Sequence, residues 1–267
     1  MIDRGTASIL MPVYNSADTV ERAINSILSQ TYRNLELIVV DDGSTDQTAT
    51  ILEHLCARDQ RIFLLQSVVN EGVTRALVKA LEFASGEFVF RQDADDFSDP
   101  ERIEKQIQLL SKYSLVFCGI HSSRFRLLSI LKSELLFTGV YQGDILRFGN
   151  IFAHGCMGAR KSLLRQVGGY DPSVRYAQDY DLWSRLACQS KAPIFYFLNE
   201  PLYTLGIGGG RISDKFSELQ VRSAETTRSK FFKAENFFAY LITKAGSSKF
   251  VGFFVRRIYF LGCRQWI

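Results

Sequence analysis

The stretch LELIVVDDGST, residues 35–45, runs from an apolar segment into an acidic turn. Its first six residues are mainly Leu, Ile and Val, which is typical of a strand buried in a parallel sheet. Short apolar runs of the same kind recur as SILMPVY (8–14), IFLL (62–65) and EFVF (87–90). We therefore predict four strands in this part of the chain.

The segments between these runs have helical periodicity. Val20, Ile24 and Ile27 share one helix face, as apolar residues of an amphipathic helix do. Strands that alternate with helices form right-handed βαβ units. The sequence therefore predicts an α/β fold with a doubly wound, mostly parallel sheet flanked by helices. Further on, we predict a helix in 101–112, a strand in 115–120, a helix ending at Gly168 and Gly169, a helix starting within 176–183 and a strand in 193–198.

Positive charge is concentrated near the C-terminus. The chain carries a formal net charge of +4, but eight basic residues and one acidic residue follow from Arg228 onward, so the remainder has a net charge of −3. We predict a main domain over 1–225 and a basic, aromatic tail over 226–267 with an amphipathic helix. Such a tail suits an anionic membrane surface, and packing against the domain or a second subunit is the alternative. The acidic main part argues against nucleic-acid binding.

The cysteines indicate a reducing compartment. There are five, an odd number, with no CxxC pair, so we predict reduced thiols. The first apolar run is too short for the central region of a signal peptide. We therefore expect a cytoplasmic protein.

Polar residues follow each predicted strand. Ligands of doubly wound sheets bind at the carboxyl ends of the strands, so these residues are expected at one edge. They are Pro12, Tyr14 and Asn15 after the first strand, Asp41, Asp42, Gly43 and Ser44 after the second, Asn70 and Gly72 after the third, and Asp93, Asp95 and Asp96 after the fourth.

The acidic segment DADD, residues 93–96, has two interpretations. Asp93 and Asp95 offer hard oxygen ligands that suit Mg²⁺ or Mn²⁺ shared with a diphosphate. Alternatively, these aspartates belong to the start of the helix after Pro100, a role that we predict for Ser98 or Asp99.

Each of the other candidate residues also has two interpretations when it is considered alone. DDGST is a turn or a contact to a base or ribose. Tyr14 is a core aromatic or a stacking platform, and Arg75 is a solvated helix residue or a clamp on a diphosphate. Asp179 is a helix cap or a general base. We predict a structural role for His154, since no second histidine lies near it.

The order of the motifs resembles that of family 2 glycosyltransferases of the GT-A fold. The motifs are MPVYN, VVDDGSTDQT, NEGVTRAL, RQDADDFSDPERIEKQ, GARKSLLRQVGGYDPS and AQDYDLWSRL, and the resemblance covers about residues 7–215. It implies a metal-dependent, hexosyltransferase-type enzyme that uses a nucleoside diphosphate sugar, usually a uridine one. Its acceptor would be a glycan or lipid-linked hydroxyl, as in surface polysaccharide synthesis at the inner face of the cell membrane.

The resemblance also assigns roles to individual residues. It places Pro12 and Tyr14 around the base, Asp42 on the uracil with Asp41 beside it, and Arg75 near the base and diphosphate. Asp93 and Asp95 correspond to the DxD motif that holds the metal, Asp96 to a contact with the donor sugar or a structural neighbour, and Asp179 to the catalytic base of an inverting transfer.

Two departures from the family pattern stand out. The family's ED pair is Gln178-Asp179 here, which removes one negative charge beside the base. A histidine common in the late loop of relatives is replaced by GGGRIS, so we expect Arg211 to contact the diphosphate instead.

Rival functions lack their sequence features. A nucleotidyltransferase would show a Gly-rich basic N-terminal loop, which MPVYNSAD is not. A nucleotide-sugar binding module without catalysis would have lost the metal pair or Asp179. There is also no P-loop, dinucleotide fingerprint, GxSxG or HExxH motif.

Overall fold

The computed structural model of the protein describes residues 5–121, 138–143, 146, 150–189, 195–206 and 217–232. Their strands are β1 (Ala7–Val13), β2 (Leu35–Asp41), β3 (Ile62–Gln66), β4 (Phe88–Arg91), β5 (Phe97–Ser98), β6 (Leu115–His121), β7 (Gly139–Tyr141), β8 (Met157–Arg160) and β9 (Phe195–Thr204). Their α-helices are α1 (Val20–Leu28), α2 (Thr48–Arg58), α3 (Val73–Phe83), α4 (Arg102–Leu110), α5 (Lys161–Gln166), α6 (Gln178–Ala187) and α7 (Ser217–Phe231).

The strands form one sheet in the order β3-β2-β1-β4-β8-β6-β9-β5, with β7 paired to β9. The four predicted strands of the N-terminal part are parallel neighbours, with Val13 opposite Asp41 and Leu10 opposite Arg91. The other half is mixed, because β8 is antiparallel to both β4 and β6. The prediction of an α/β sheet is confirmed, and its parallel half is the part that carries the acidic turns.

Helices cover both faces of the sheet, as a doubly wound fold requires. Ile9 and Met11 of β1 pack on the face that holds α1, α2 and α4, whereas Leu10 packs on the face that holds α3, α5 and α6. All three side chains are fully buried. A strand buried on both faces explains why β1 and β2 read as continuous apolar runs.

The sequence analysis did not predict three of the described strands, which are β5, β7 and β8. Of these, β8 lies inside the sheet, between β4 and β6. It is only four residues long and contains Gly158. A Cβ at residue 158 would lie 2.6 Å from the ring of Phe90 on β4, so this position takes a residue without a side chain. The predicted glycine stop after α5 is confirmed, since Gly168 and Gly169 have φ values of 78° and 68°.

The C-terminal part is described only as far as residue 232. Helix α7 passes through the predicted boundary between residues 225 and 226, and the rest of the tail lies outside the described residues, so this division stays a prediction. Within the described ranges, no helix combines the length and the apolar character needed to cross a membrane.

Candidate functional site

The carboxyl ends of β1 and β2 are joined by hydrogen bonds between their turns. Asn15, which has φ of 46°, donates its side-chain amide to Thr45 Oγ1 at 3.3 Å and accepts the backbone N–H of Thr45 at 2.8 Å. Ser44 Oγ accepts the backbone N–H of Asn15 at 3.0 Å. Asparagine tolerates this left-handed conformation, which is the signal in the sequence for its role. Asn15 therefore fixes the two turns relative to each other.

The residues that the sequence assigned to the base lie at these two strand ends. Pro12 is buried within β1, opposite Val40 of β2. Tyr14 is 46% exposed, so it is a surface aromatic and not a core residue. An exposed ring beside a polar turn is suited to stacking on a base.

Asp41 and Asp42 are both 3% exposed and have different partners. Asp41 Oδ1 accepts the N–H and the hydroxyl of Ser44, at 3.1 and 2.5 Å. The Asp42 carboxylate accepts the N–H groups of Glu71 at 3.0 Å and Gly72 at 2.7 Å. Asp41 thus closes its own turn, whereas Asp42 ties the end of β2 to the loop before α3.

Arg75 lies on the first turn of α3, beside a cavity of about 300 Å³. Its side chain is 58% exposed and lies 3.9 Å from Glu71 Oε1. The cavity is lined by Asn70, Glu71, Gly72, Thr74, Arg75, Pro172, Ser173 and Arg175. Two arginines at the wall of one cavity favour an anionic ligand.

The first aspartate of the DADD segment is held by a buried arginine. Arg91 Nη2 lies 2.6 Å from Asp93 Oδ1, and Arg91 is 2% exposed. The backbone N–H of Asp93 donates to the hydroxyl of Tyr203 at 3.0 Å. Arg91 Nε is buried with no hydrogen-bond partner in the described part of the chain. The sequence analysis did not identify Arg91, because its role depends on a partner that only the folded chain places beside it.

A second buried arginine, Arg102, forms hydrogen bonds to residues on both sides of this segment. Arg102 is fully buried, donates to Ser98 Oγ at 2.8 Å and to the carbonyl oxygens of Arg91 and Gly155 at 2.9 and 2.7 Å, and lies over the Tyr203 ring. Charge-assisted hydrogen bonds of this kind hold backbone firmly. Arg102 therefore fixes the base of the acidic turn.

The remaining aspartates of the segment divide as follows. Asp95 is half-buried, and a Cβ on Gly206 would meet its carbonyl oxygen at 1.8 Å, so only glycine fits at residue 206. Asp96 is 4% exposed and accepts the N–H of Gly206 at 2.7 Å. Burial and the charges of Asp93 and Asp95 raise the pKa of Asp96 to about 7.

Asp99 accepts the N–H of Glu101 at 3.0 Å, which confirms its predicted place at a helix start.

The donor set suits a hard divalent cation. Asp93 and Asp95 offer carboxylate oxygens at a site with excess negative charge, which Mg²⁺ or Mn²⁺ would offset. Among the residues that the structure describes, no group of three His, Cys, Asp or Glu side chains is poised to hold a metal. Two carboxylates with oxygens from a ligand and from water are the combination that these cations use with nucleotide phosphates.

Asp179 lies in the first turn of α6, after Ala177, which adopts the left-handed conformation with φ of 53°. Its Oδ2 accepts the side-chain amide of Asn150 at 2.6 Å, and its Oδ1 accepts the N–H of Tyr180 at 2.8 Å. Burial raises the pKa of Asp179, as does the charge of Asp93, against the effect of these two hydrogen bonds. The N-cap residue of α6 is Ala177, so Asp179 does not cap this helix, and its carboxyl has the raised pKa expected of a general base.

His154 is a partly buried neighbour of the site. His154 Nε2 lies 2.7 Å from the hydroxyl of Tyr170, and burial, followed by the charge of Arg91, lowers the pKa of His154 well below its usual range. This supports the structural role predicted for His154.

Arg211 lies outside the described residues, so its contact with a diphosphate stays a prediction.

Comparisons with known proteins identify a family and a fold. Residues 8–168 match the profile described as Glycosyl transferase family 2. The Bacillus subtilis protein EpsE, named as a glycosyltransferase, is 37% identical over 184 residues, which are 67% of this chain and 65% of EpsE. The Escherichia coli protein WfaP, a UDP-Glc:alpha-D-GlcNAc-diphosphoundecaprenol beta-1,3-glucosyltransferase, is 27% identical over 232 residues, which are 86% of this chain and 88% of WfaP.

A solved structure establishes the fold. The mannosyltransferase PcManGT from Pyrobaculum calidifontis, in complex with GDP-Man and Mn²⁺, superposes with a TM-score of 0.62 at 18% identity, over 99% of this chain and 82% of that one. The chain therefore has the GT-A fold. It spans slightly less than two thirds of the length of EpsE, at 65%.

Proposed function

This chain belongs to glycosyl transferase family 2, and we propose that it transfers a sugar, with inversion, from a nucleoside diphosphate donor to a hydroxyl group of a glycan or lipid-linked acceptor. The observation that carries the proposal is that the described part of the chain contains three groups suited to this reaction. These are an exposed aromatic beside an acidic turn, a carboxylate pair at the end of β4, and a half-buried carboxylate with a raised pKa at the start of α6.

The donor would bind along the carboxyl ends of the parallel strands. Tyr14 would stack on the base, and Asp41 and Asp42 would shape the pocket beside it, with Asp42 accepting a base hydrogen bond through its remaining lone pairs. WfaP uses a UDP-linked sugar, as its name states, which supports uridine as the base here. Arg75 and Arg211 would contact the diphosphate, and Asp96, which accepts the N–H of Gly206, would contact the donor sugar or serve as a structural neighbour.

Asp93 and Asp95 would hold Mg²⁺ or Mn²⁺, which supplies positive charge to the departing diphosphate. Arg91 would orient Asp93 for this purpose, because its buried guanidinium pairs with one of the carboxylate oxygens. The GT-A neighbour PcManGT was solved with Mn²⁺, which supports this assignment.

Asp179 would remove the proton of the acceptor hydroxyl as that oxygen attacks the anomeric carbon from the face opposite the diphosphate. Because burial raises its pKa, the Asp179 carboxylate is a stronger base than an exposed aspartate. The adjacent Gln178 carries no charge, so nothing beside the base in sequence opposes its ionisation.

The acceptor is proposed from the relatives. WfaP acts on a sugar linked to diphosphoundecaprenol, and an acceptor of that chemical class fits an enzyme of polysaccharide synthesis. The donor sugar, a hexose in this proposal, would be selected by the segments around residues 138–153 and 206–216, only part of which is described.

The proposal is tested with a panel of nucleotide sugars at fixed Mn²⁺ or Mg²⁺, with a synthetic polyprenyl diphosphate sugar as acceptor. Release of nucleoside diphosphate and the new glycolipid are measured together. We expect one UDP-sugar to give both products and chelation with EDTA to stop the reaction. Binding of a nucleotide sugar without product in any combination would favour a binding module. Release of inorganic diphosphate in a parallel assay with a nucleoside triphosphate and a sugar 1-phosphate would indicate a nucleotidyltransferase.

A further inference from the structure

Both oxygens of the Asp179 carboxylate have a hydrogen-bond donor. The Asn150 side chain donates to Oδ2 at 2.6 Å, and the backbone N–H of Tyr180 donates to Oδ1 at 2.8 Å. The backbone donor belongs to the residue that directly follows Asp179 in α6. The side-chain donor comes from a different segment, 29 residues away in sequence, so only folding brings it to Asp179.

Described residues on either side of Asn150 make contacts of their own that do not involve the Asp179 carboxylate. Before it, Leu146 is fully buried and its carbonyl oxygen accepts the hydroxyl of Tyr180 at 2.5 Å. After it, Phe152 is 2% exposed and stacks on Phe117 with ring centroids 4.4 Å apart. Asn150 itself is exposed, so neither its packing nor its burial accounts for its position. An exposed side chain held between two fixed points is suited to orient another group.

The amide is also chemically matched to its partner. It donates a hydrogen bond to the carboxylate without adding a charge, so the carboxylate stays available as a base. The titratable groups that act on Asp179 are Asp93 and Tyr170. Asp93 opposes its ionisation, whereas burial raises the pKa of Tyr170 and keeps that phenol neutral. Among the described residues, Asn150 is therefore the one whose side-chain hydrogen bond favours the ionised form of Asp179.

We infer that Asn150 is a positioning residue for the proposed catalytic base, and that it holds the Asp179 carboxylate in the orientation in which it takes the proton of the acceptor hydroxyl. The inference rests on the proposed function and deepens it. It assigns a role to Asn150 that does not require contact with the donor, the metal or the nucleotide.

The test compares N150A with wild type in the transfer reaction, with N34A as a matched control. Asn34 is also an exposed asparagine, and it lies at the amino end of β2, the opposite edge of the sheet. We expect kcat of N150A to fall about 10- to 100-fold, the range for a misplaced catalytic group. The KM for the donor and the Kd for nucleotide with Mn²⁺ should stay within about twofold, and N34A should match wild type.

A second variant, N150D, is tested by the pH dependence of kcat/KM, which would not change if the role of Asn150 were purely structural. It replaces the donor with a carboxylate next to Asp179, and two adjacent carboxylates share a proton. The acidic limb of the kcat/KM profile should therefore move to higher pH by about one unit or more. Activity of N150D should recover in part at alkaline pH, whereas N150A should not recover.

The outcomes separate the inference from the proposed function. Wild-type rates in N150A, with an active wild-type enzyme, would overturn the inference alone. A fall in kcat accompanied by an equal loss of nucleotide binding and thermal stability would also overturn it, since that pattern belongs to a folding role. A wild-type enzyme inactive with every donor would refute the proposed function, and the inference with it.

Discussion

The Asp93 carboxylate lies 2.6 Å from the guanidinium of Arg91, and the two side chains differ sharply in exposure, at 38% for Asp93 and 2% for Arg91. The arginine is shielded from water, so Asp93 is the counter-ion that offsets its buried charge, whereas the Asp93 side chain itself remains partly exposed. Asp93 therefore has two functions in this account, as the counter-ion of a buried cation and as a metal ligand.

The first prediction separates these two functions by comparing D93N with D95N. D93N removes the charge opposite Arg91, which should lower the free energy of unfolding by about 2 kcal/mol or more. D95N should remain close to wild type in stability, and both variants should lose Mn²⁺-dependent nucleotide binding. Thermal unfolding and calorimetric titration measure the two effects. Equal stability of D93N and wild type would contradict the role of the ion pair.

A second prediction concerns the bond from Asp42 to the loop before α3. In D42N one oxygen becomes an N–H₂ group that faces a backbone N–H, either that of Glu71 or that of Gly72. We expect a loss of about 1 to 3 kcal/mol in stability, the cost of leaving such a group unsatisfied, together with weaker nucleotide binding. E53Q, on the exposed face of α2, is the control. Nucleotide affinity unchanged in D42N would show that neither the loop nor Asp42 shapes the base pocket.

The pair Gln178-Asp179 allows a test of the base by pH. Restoring the family's Glu in Q178E places a negative charge beside Asp179, which should raise the pKa of that carboxyl further. Because the base acts when it is deprotonated, the acidic limb of the kcat/KM profile should shift to higher pH. Q178A, which adds no charge, should keep the wild-type limb. A limb that stays in place in Q178E would argue that another group titrates.

Glu36 supplies a prediction about stability that is independent of activity. This carboxylate is 9% exposed and accepts Ser8 Oγ at 2.6 Å and the N–H of Ser85 at 2.7 Å. Burial acts to raise the pKa of Glu36, but these hydrogen bonds outweigh it and the pKa is lowered. A lowered pKa means that the unfolded state binds the proton more readily, so the stabilisation is present at neutral pH and is lost as pH falls through the folded-state pKa.

The variant E36Q should therefore be less stable at pH 7 by about 1 to 3 kcal/mol. Its stability should also depend less on pH between about 5 and 3 than that of the wild type. Denaturant unfolding at a series of pH values measures both, and transfer activity should be unchanged because Glu36 lies in β2, away from the carboxyl end. Parallel pH curves for the two proteins would contradict this account.

The parallel half of the fold could be predicted because local pattern and tertiary structure agree there. Each of its strands is an apolar run that ends in a polar turn. This pattern can be recognised from the sequence of the strand alone, without knowing which strands lie beside it. β8 gave no such signal, because Gly158 is there to fit the Phe90 ring and this requirement exists only in the folded sheet.

The candidate site shows the same division. Its acidic residues stand out in the sequence because several like charges follow an apolar strand. Arg91, Arg102 and Asn150 do not, since their roles depend on partners brought close by folding, such as the carbonyl of Gly155 for Arg102 and the carboxylate of Asp179 for Asn150. Tyr14 was ambiguous for a similar reason, and its exposed fraction removes the ambiguity.

The variant D179N tests the central claim most directly, because donor binding and transfer can be measured in one protein. An asparagine keeps the size of the side chain and cannot accept the acceptor's proton. With the donor found by the panel, we expect the Kd of the nucleotide with Mn²⁺ to stay within about twofold of wild type and kcat to fall at least about 1,000-fold, as for the loss of a general base. Transfer by D179N at the wild-type rate would contradict the account.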